Sequence, residues 1–305
     1  MRWIGRSAFA FSMGCAVAAA AQPVPGPEPS PQAHPVEARF RLNAAYFDNF
    51  FQAAEGLPEE NVLAGGLEAH VIGRLGRESP LQAYAYGDYT RYRGFDPSTG
   101  VAVGVRSDDR PASFEVAVQY HNGRPSREVG DVIGRADDLG AAAELSYRVL
   151  GDLQLSALGG FRREWYDLAP QKRNDVFDVG AAARYRGWTE FSPEVGFRWG
   201  RRDVVSDNED LEQREWFVRF RWTPTPAFYL SARYRRRLRD YTGDDPARSN
   251  FNREDRRQQY TAGAELRLGR HWSWGAYYAR EDSDSTRGSG VFTTQMATVG
   301  LTLIY

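Results

Sequence analysis

Beyond Arg39 the chain alternates between apolar and polar residues in one short segment after another. The pattern is plainest in residues 295–305. There Ala297, Val299, Leu301 and Leu303 share one parity, and Thr298, Gly300 and Thr302 share the other. A period of two places successive side chains on opposite faces of a β-strand. About eleven residues is also the length with which a tilted strand crosses a bilayer. Similar segments recur at 40–47, 62–74, 81–93, 101–105, 114–120, 139–149, 153–166, 177–186 and 195–202, then at 214–222, 228–239, 260–268 and 272–280. The third is rich in Tyr and ambiguous in phase, and the fourth is short. With the last segment the count is about fourteen, an even number.

The connections sort by length. Short ones fall at 76–80, 107–111, 150–152, 187–192, 223–226 and 269–271. Longer ones, rich in Asp, Asn and Gly, occupy the alternate gaps at 49–61, 95–100, 122–138, 167–174, 203–211, 241–255 and 282–290. Short turns on one rim and long loops on the other is how a membrane barrel is built; a soluble sandwich has no reason to sort its loops this way. Aromatic residues near the expected strand ends (Trp216, Trp222, Trp272, Tyr305) suit a membrane interface. The expectation is an all-β fold. It is a transmembrane antiparallel up-and-down β-barrel of about fourteen strands, with short periplasmic turns and longer extracellular loops.

The N-terminus adds an address. A basic start containing Arg2 and Arg6 precedes an apolar run over residues 8–21 that ends Ala19-Ala20-Ala21. This reads as a secretory signal peptide of residues 1–21, too short for a transmembrane helix. The chain's one cysteine, Cys15, leaves with it, which suits an oxidising compartment. Residues 22–37 carry Pro23, Pro25, Pro27, Pro29, Pro31 and Pro35, extended backbone that cannot join a sheet interior. They read as a periplasmic tether, leaving 38–305 for the barrel. Mean hydropathy is −0.58, which excludes a helical membrane protein but not a barrel, where only alternate strand residues meet lipid.

Net charge is −1, so nothing global points to nucleic acid. Arg supplies every basic residue except Lys172. Once the apolar parity is set outward, the lumen follows. It holds Arg39, Arg41, Arg106, Arg148, Arg162, Arg184, Arg186, Arg198 and Arg267. To these the tenth and eleventh strands add Arg219, Arg221, Arg233, Arg235 and Arg237. Fewer acids share that face: Glu68, Glu115, Glu144, Asp178, Glu194 and Glu265. A guanidinium-rich bore concentrates anions, and Arg grips carboxylate or phosphate with two prongs. The five Arg of strands ten and eleven are thus the candidate anion-guiding wall. The competing reading is that they pair with the acids and stiffen the barrel.

Catalysis finds no constellation. His34 lies in the tether and His271 in a periplasmic turn; His70 is mid-strand near Glu68; His121 opens an outer loop with no adjacent Ser. The acidic stretches 207–210 and 281–284 lack calcium-loop spacing and read as solvated loop. No enzyme, cofactor or metal is expected.

A strand that ends the chain on an aromatic after alternating Val299, Leu301 and Leu303 resembles the closing strand of bacterial outer-membrane β-barrels. That resemblance implies that Val299, Leu301, Leu303 and Tyr305 form the membrane-insertion signal, read by the barrel-insertion machinery. The runs Asn252-Arg253-Glu254-Asp255-Arg256-Arg257, His271-Trp272-Ser273-Trp274 and Asp282-Ser283-Asp284-Ser285, with Tyr46-Phe47-Asp48-Asn49, resemble two groups. These are the porin-like β-barrels and the barrel domain of surface lipoprotein assembly modifiers. The latter carry a helical repeat domain before the barrel, where this chain has only the tether. The resemblance implies a bacterial outer-membrane pore, surrounded by lipid and lipopolysaccharide, and the Arg-rich lumen points to passage of small anionic or saccharide solutes. The alternative is the outer-membrane component of a surface polysaccharide or lipoprotein export system, with a periplasmic partner engaging the tether.

Overall fold

The computed structural model describes residues 36–50, 61–76, 79–107, 111–129, 132–167, 173–204, 210–242, 251–287 and 291–305. Residues 1–21, read above as a signal peptide, and residues 22–35 of the stretch read as a tether lie outside them, as do Cys15, His34 and Lys172. Each alternating segment of the sequence is a strand. In chain order they are β1 (Val36–Asp48), β2 (Val62–Arg74), β3 (Leu81–Tyr92), β4 (Ser98–Ser107), β5 (Ala112–Val129), β6 (Val132–Leu150) and β7 (Leu153–Tyr166). Then follow β8 (Arg173–Tyr185), β9 (Phe191–Val204), β10 (Leu211–Thr225), β11 (Phe228–Tyr241), β12 (Glu254–Leu268), β13 (Trp272–Ser285) and β14 (Phe292–Ile304). β1 begins at Val36, two residues inside the stretch read as tether.

Each strand pairs antiparallel with its neighbours in sequence. β14 returns to β1 in register from Arg39 opposite Ile304 to Asp48 opposite Gln295, which closes the barrel. Tyr305 completes the seam: its backbone N–H donates to the Ala38 carbonyl at 2.8 Å, and its carbonyl accepts from the Ala38 N–H at 3.0 Å. Closure leaves no free sheet edge, the condition for a sheet to live in hydrocarbon.

The outward face carries the apolar parity. Leu42, Leu67, Val103 and Val179 are exposed, Val103 to 60%, whereas inward Glu215 is 0% exposed. A soluble protein would bury such residues; here they form the surface that lipid covers. Aromatic side chains gather near both rims. At the short-turn rim Tyr185, Trp188, Phe191 and Phe220 form a chain of ring contacts 5.0, 5.7 and 5.7 Å apart, joined there by exposed Trp222 and Trp272. At the other rim exposed Tyr46, Tyr89, Tyr120 and Trp165 do the same.

The structure corrects several boundaries. Residues 122–138, expected as an outer loop, are mostly strand: β5 and β6 run on for 18 and 19 residues and pair as far as Val129 opposite Val132. A bulge between His121 and Arg124 breaks the alternation, with Gly123 at φ 73°, and this local kink reads as a loop in sequence. The stretch 281–284 lies in β13 rather than in a loop; of the other acidic stretch only Asp210 is described. β3 was ambiguous because its large residues point inward. Tyr84 donates its hydroxyl hydrogen to Glu115 at 2.7 Å, while small Ala83, Ala85 and Gly87 take the outward parity.

Candidate functional site

The lumen is where the sequence concentrates charge, and strand parity decides which charges enter it. β11 sends Arg233, Arg235, Arg237 and Arg239 inward, and β10 sends Glu215, Phe217, Arg219 and Arg221. Register then sets like charges against each other: Arg219 stands opposite Arg233, and Arg237 opposite Arg257 of β12. Directly opposed like charges destabilise a sheet. Carboxylates from nearby strands offset that repulsion. Arg233, Arg235 and Arg237 converge on the buried Glu215 at 3.3, 3.5 and 3.9 Å. Arg237 also pairs with Glu281 of β13, reaching past β12, and Arg257 meets the same carboxylate at 3.4 Å. Glu194 of β9 pairs with Arg184 of β8 and stands 3.6 Å from Arg219. Arg239 donates to Gln213 at 2.9 Å, and Arg233 lies 4.9 Å from the centre of the Phe217 ring.

A second cluster sits toward the long-loop rim. Glu164, almost wholly buried, accepts from Arg162, from Arg202 at 3.0 Å, from the Tyr166 hydroxyl at 3.0 Å and from Asn174 at 3.0 Å. Arg124 bridges Asp138 at 2.5 Å and Glu164 at 3.7 Å. Its arginines come from the alternate strands β5, β7 and β9, because inward side chains of a curved wall meet across the strand between them, while Asp138 of β6 and Asn174 of β8 fill the gaps.

Farther round the barrel, at the long-loop mouth, the inward side chains are apolar. Phe47, Phe50, Val62, Ala64, Tyr92, Ala279 and Met296 form a buried cluster, with Phe95 stacked 6.0 Å from Phe50. The chain after β1 turns into the mouth to place Phe50 there, through Asn49 at φ 49°. The bore is therefore basic over β9 to β12 and apolar at the long-loop mouth where β13, β14, β1, β2 and β3 meet, although the same strands also turn Arg41, Glu68 and Glu281 inward.

Of the residues expected to guide anions, Arg233, Arg235 and Arg237 share the Glu215 ladder, and Arg219, opposite Arg233, pairs instead with Glu194. Arg221 lies inward beside them at the short-turn end of β10. Sequence reasoning did not place Glu164, Glu215, Arg239, Arg257, Asp255 or Glu281 in the lumen, and read Glu281 as part of a solvated loop. Glu215 stands two before Phe217, and Arg239 two after Arg237, so one more step of the alternation reaches each. Val299 and Leu301 face outward on β14, and Tyr305 is exposed at the short-turn rim. His121 lies within β5 rather than in a loop, its Nδ1 3.3 Å from Asp138, while His271 Nδ1 lies 3.0 Å from the Ile304 carbonyl. Among the described residues no group of His, Cys, Asp and Glu could hold a metal ion.

No protein-family model matches the chain, and no curated protein matches it either. Solved structures do. OmpT, an outer-membrane protein of Vibrio cholerae, is 11% identical, covering 88% of this chain and 99% of its own at a TM-score of 0.49. An anion-selective porin from Comamonas acidovorans is 10% identical, over 88% and 98%, at 0.46. A FadL homologue from Pseudomonas aeruginosa is 9% identical, over 88% and 90%, at 0.48. By their descriptions the first is an outer-membrane protein and the second a porin. At such scores they carry no argument about what passes through this barrel; its closure rests on its own strand register.

Proposed function

We propose that this barrel is an outer-membrane channel that favours small anionic solutes. Lipid and lipopolysaccharide surround it, and the barrel-insertion machinery assembles it through β14. The tether and short turns face the periplasm, and the long loops face outward. One observation carries the reading: β11 points Arg233, Arg235, Arg237 and Arg239 into the bore with no acid of its own among them, and register opposes two further Arg to this row. A barrel that needed only stiffening would alternate the signs across its strands, because opposed unlike charges stabilise a sheet. The excess of guanidinium instead gives the bore a positive potential that draws anions and repels cations. Most of these side chains are buried by their ladder contacts, so the path is narrow. A carboxylate or phosphate solute advances by replacing one acid partner after another, as Glu215, Glu194 and Glu281 each hold more than one Arg. The apolar cluster at the long-loop mouth accepts the body of such a solute as it enters.

Planar-bilayer recording of the purified full chain across a salt gradient tests this directly. The expected reversal potential has the sign of anion preference. Cation selectivity, or an inserted barrel with no conductance, refutes it. The latter result would leave the ladder as a structural plug.

A further inference from the structure

The wall has a notch on its long-loop rim. β4 has only 10 residues and starts at Ser98, whereas β5 and β6 on one side continue well beyond it. On the other side the chain leaving β3 turns back over residues 93–97, with Gly94 at φ 89°. The gap above the short β4 is a depression of about 950 Å³ lined by Arg91, Arg93, Arg135, Leu63, Phe95 and Pro125. Arg91 and Arg93 are exposed, and among the described residues neither has an ion-pair partner. Two acids also line it. Asp96 is 72% exposed and stands 3.7 Å from Arg135, a contact that water screens strongly. Asp167 accepts the Arg135 backbone N–H at 2.7 Å.

The lower edge of this depression runs into the outward apolar band, where Leu63, Leu67 and Tyr89 are exposed. Three guanidinium groups thus stand where hydrocarbon gives way to head groups on the long-loop side. An Arg fork matches two oxygens of a phosphate, and a partly desolvated pair of this kind is stronger than one in open water. We propose that the notch above β4 binds the phosphorylated head group of an outer-leaflet lipid, with its acyl chains on Leu63 and the apolar band below. This rests on the orientation given to the barrel above, but not on the anion path, since Arg91, Arg93 and Arg135 take no part in the ion-pair ladder of β10 and β11.

The test is retention of bisphosphorylated lipid A by the full chain in neutral detergent, read by native mass spectrometry. The wild type is expected to retain it. The variant Arg91→Gln/Arg93→Gln/Arg135→Gln should bind at least about tenfold more weakly, and lipid A stripped of its phosphates should bind the wild type as poorly. Should the triple variant fail to fold, Arg93→Gln, which lies in the turn outside the strands, should weaken binding by itself. The control Arg214→Gln/Arg280→Gln removes outward Arg elsewhere and should leave retention intact. Unchanged binding in the Arg91, Arg93 and Arg135 variants overturns the proposal. So does equal binding of dephosphorylated lipid A, or an equal loss in the control. Inorganic phosphate that competes as tightly as the lipid also overturns it, by making this a site for the free ion. Bilayer recordings of the triple variant should keep the wild-type reversal potential, so the lipid seat and the anion path stand or fall separately.

Discussion

Replacing Glu215 by Gln removes the one carboxylate on which three arginines of β11 converge. At 3.3 to 3.9 Å from Arg233, Arg235 and Arg237, it is the closest counter-charge to the middle of the row. The Gln amide keeps an acceptor but no charge. Each Arg–carboxylate attraction at about 3.5 Å and an effective dielectric near 20 is worth roughly 5 kcal/mol before desolvation. Breaking a buried pair from one side costs a net ~3–5 kcal/mol, and the retained acceptor places this variant near the lower figure. The barrel should therefore unfold at lower urea concentration in lipid vesicles, by about 3 kcal/mol. The bore simultaneously gains one positive charge. For a monovalent anion roughly 8 Å away through water that gain is about 0.5 kcal/mol, close to a twofold rise in anion occupancy. Bilayer recordings should show a reversal potential shifted further toward anions. A shift toward cations, or a variant with wild-type stability and unchanged potential, would refute the claim that Glu215 neutralises the row.

Arg237→Gln and Glu281→Gln each break the same buried contact, so the double variant should lose less stability than the two singles together; urea titrations that add within error would show that the pair is not coupled. Leu301→Arg puts a charge on the outward face of β14 and should cost about 2–4 kcal/mol or block assembly, measured as the heat-modifiable fraction on gels. Gly180→Ala should destabilise by about 1–3 kcal/mol, since its Cβ would lie 2.5 Å from the Phe197 carbonyl oxygen of the next strand; a neutral result would mean β8 and β9 part easily there.

The strands were legible because their signal is local. Side-chain direction in a strand depends only on parity, so Val299 and Leu301, or Arg233, Arg235 and Arg237, declare their face without knowledge of any partner. The short turns were legible for the same reason. Where a bulge intervenes, as at His121 to Arg124, parity breaks and the reading stopped early, turning paired β5 and β6 into an imagined loop. Where large residues point inward, as Tyr84 does, hydrophobicity no longer marks the lipid side.

What the sequence by itself determined is which side chains meet lipid and which meet the lumen, together with the strand count and the basic bias of β10 and β11. Only the closed barrel decided who neutralises whom. Arg237 reaches past β12 to Glu281, and Arg124, Arg162 and Arg202 come from β5, β7 and β9 to one carboxylate, Glu164. Such meetings depend on inter-strand register and on the curvature that turns inward faces toward one another. Both are properties of the whole sheet, set when β14 finds β1, and no single strand carries them.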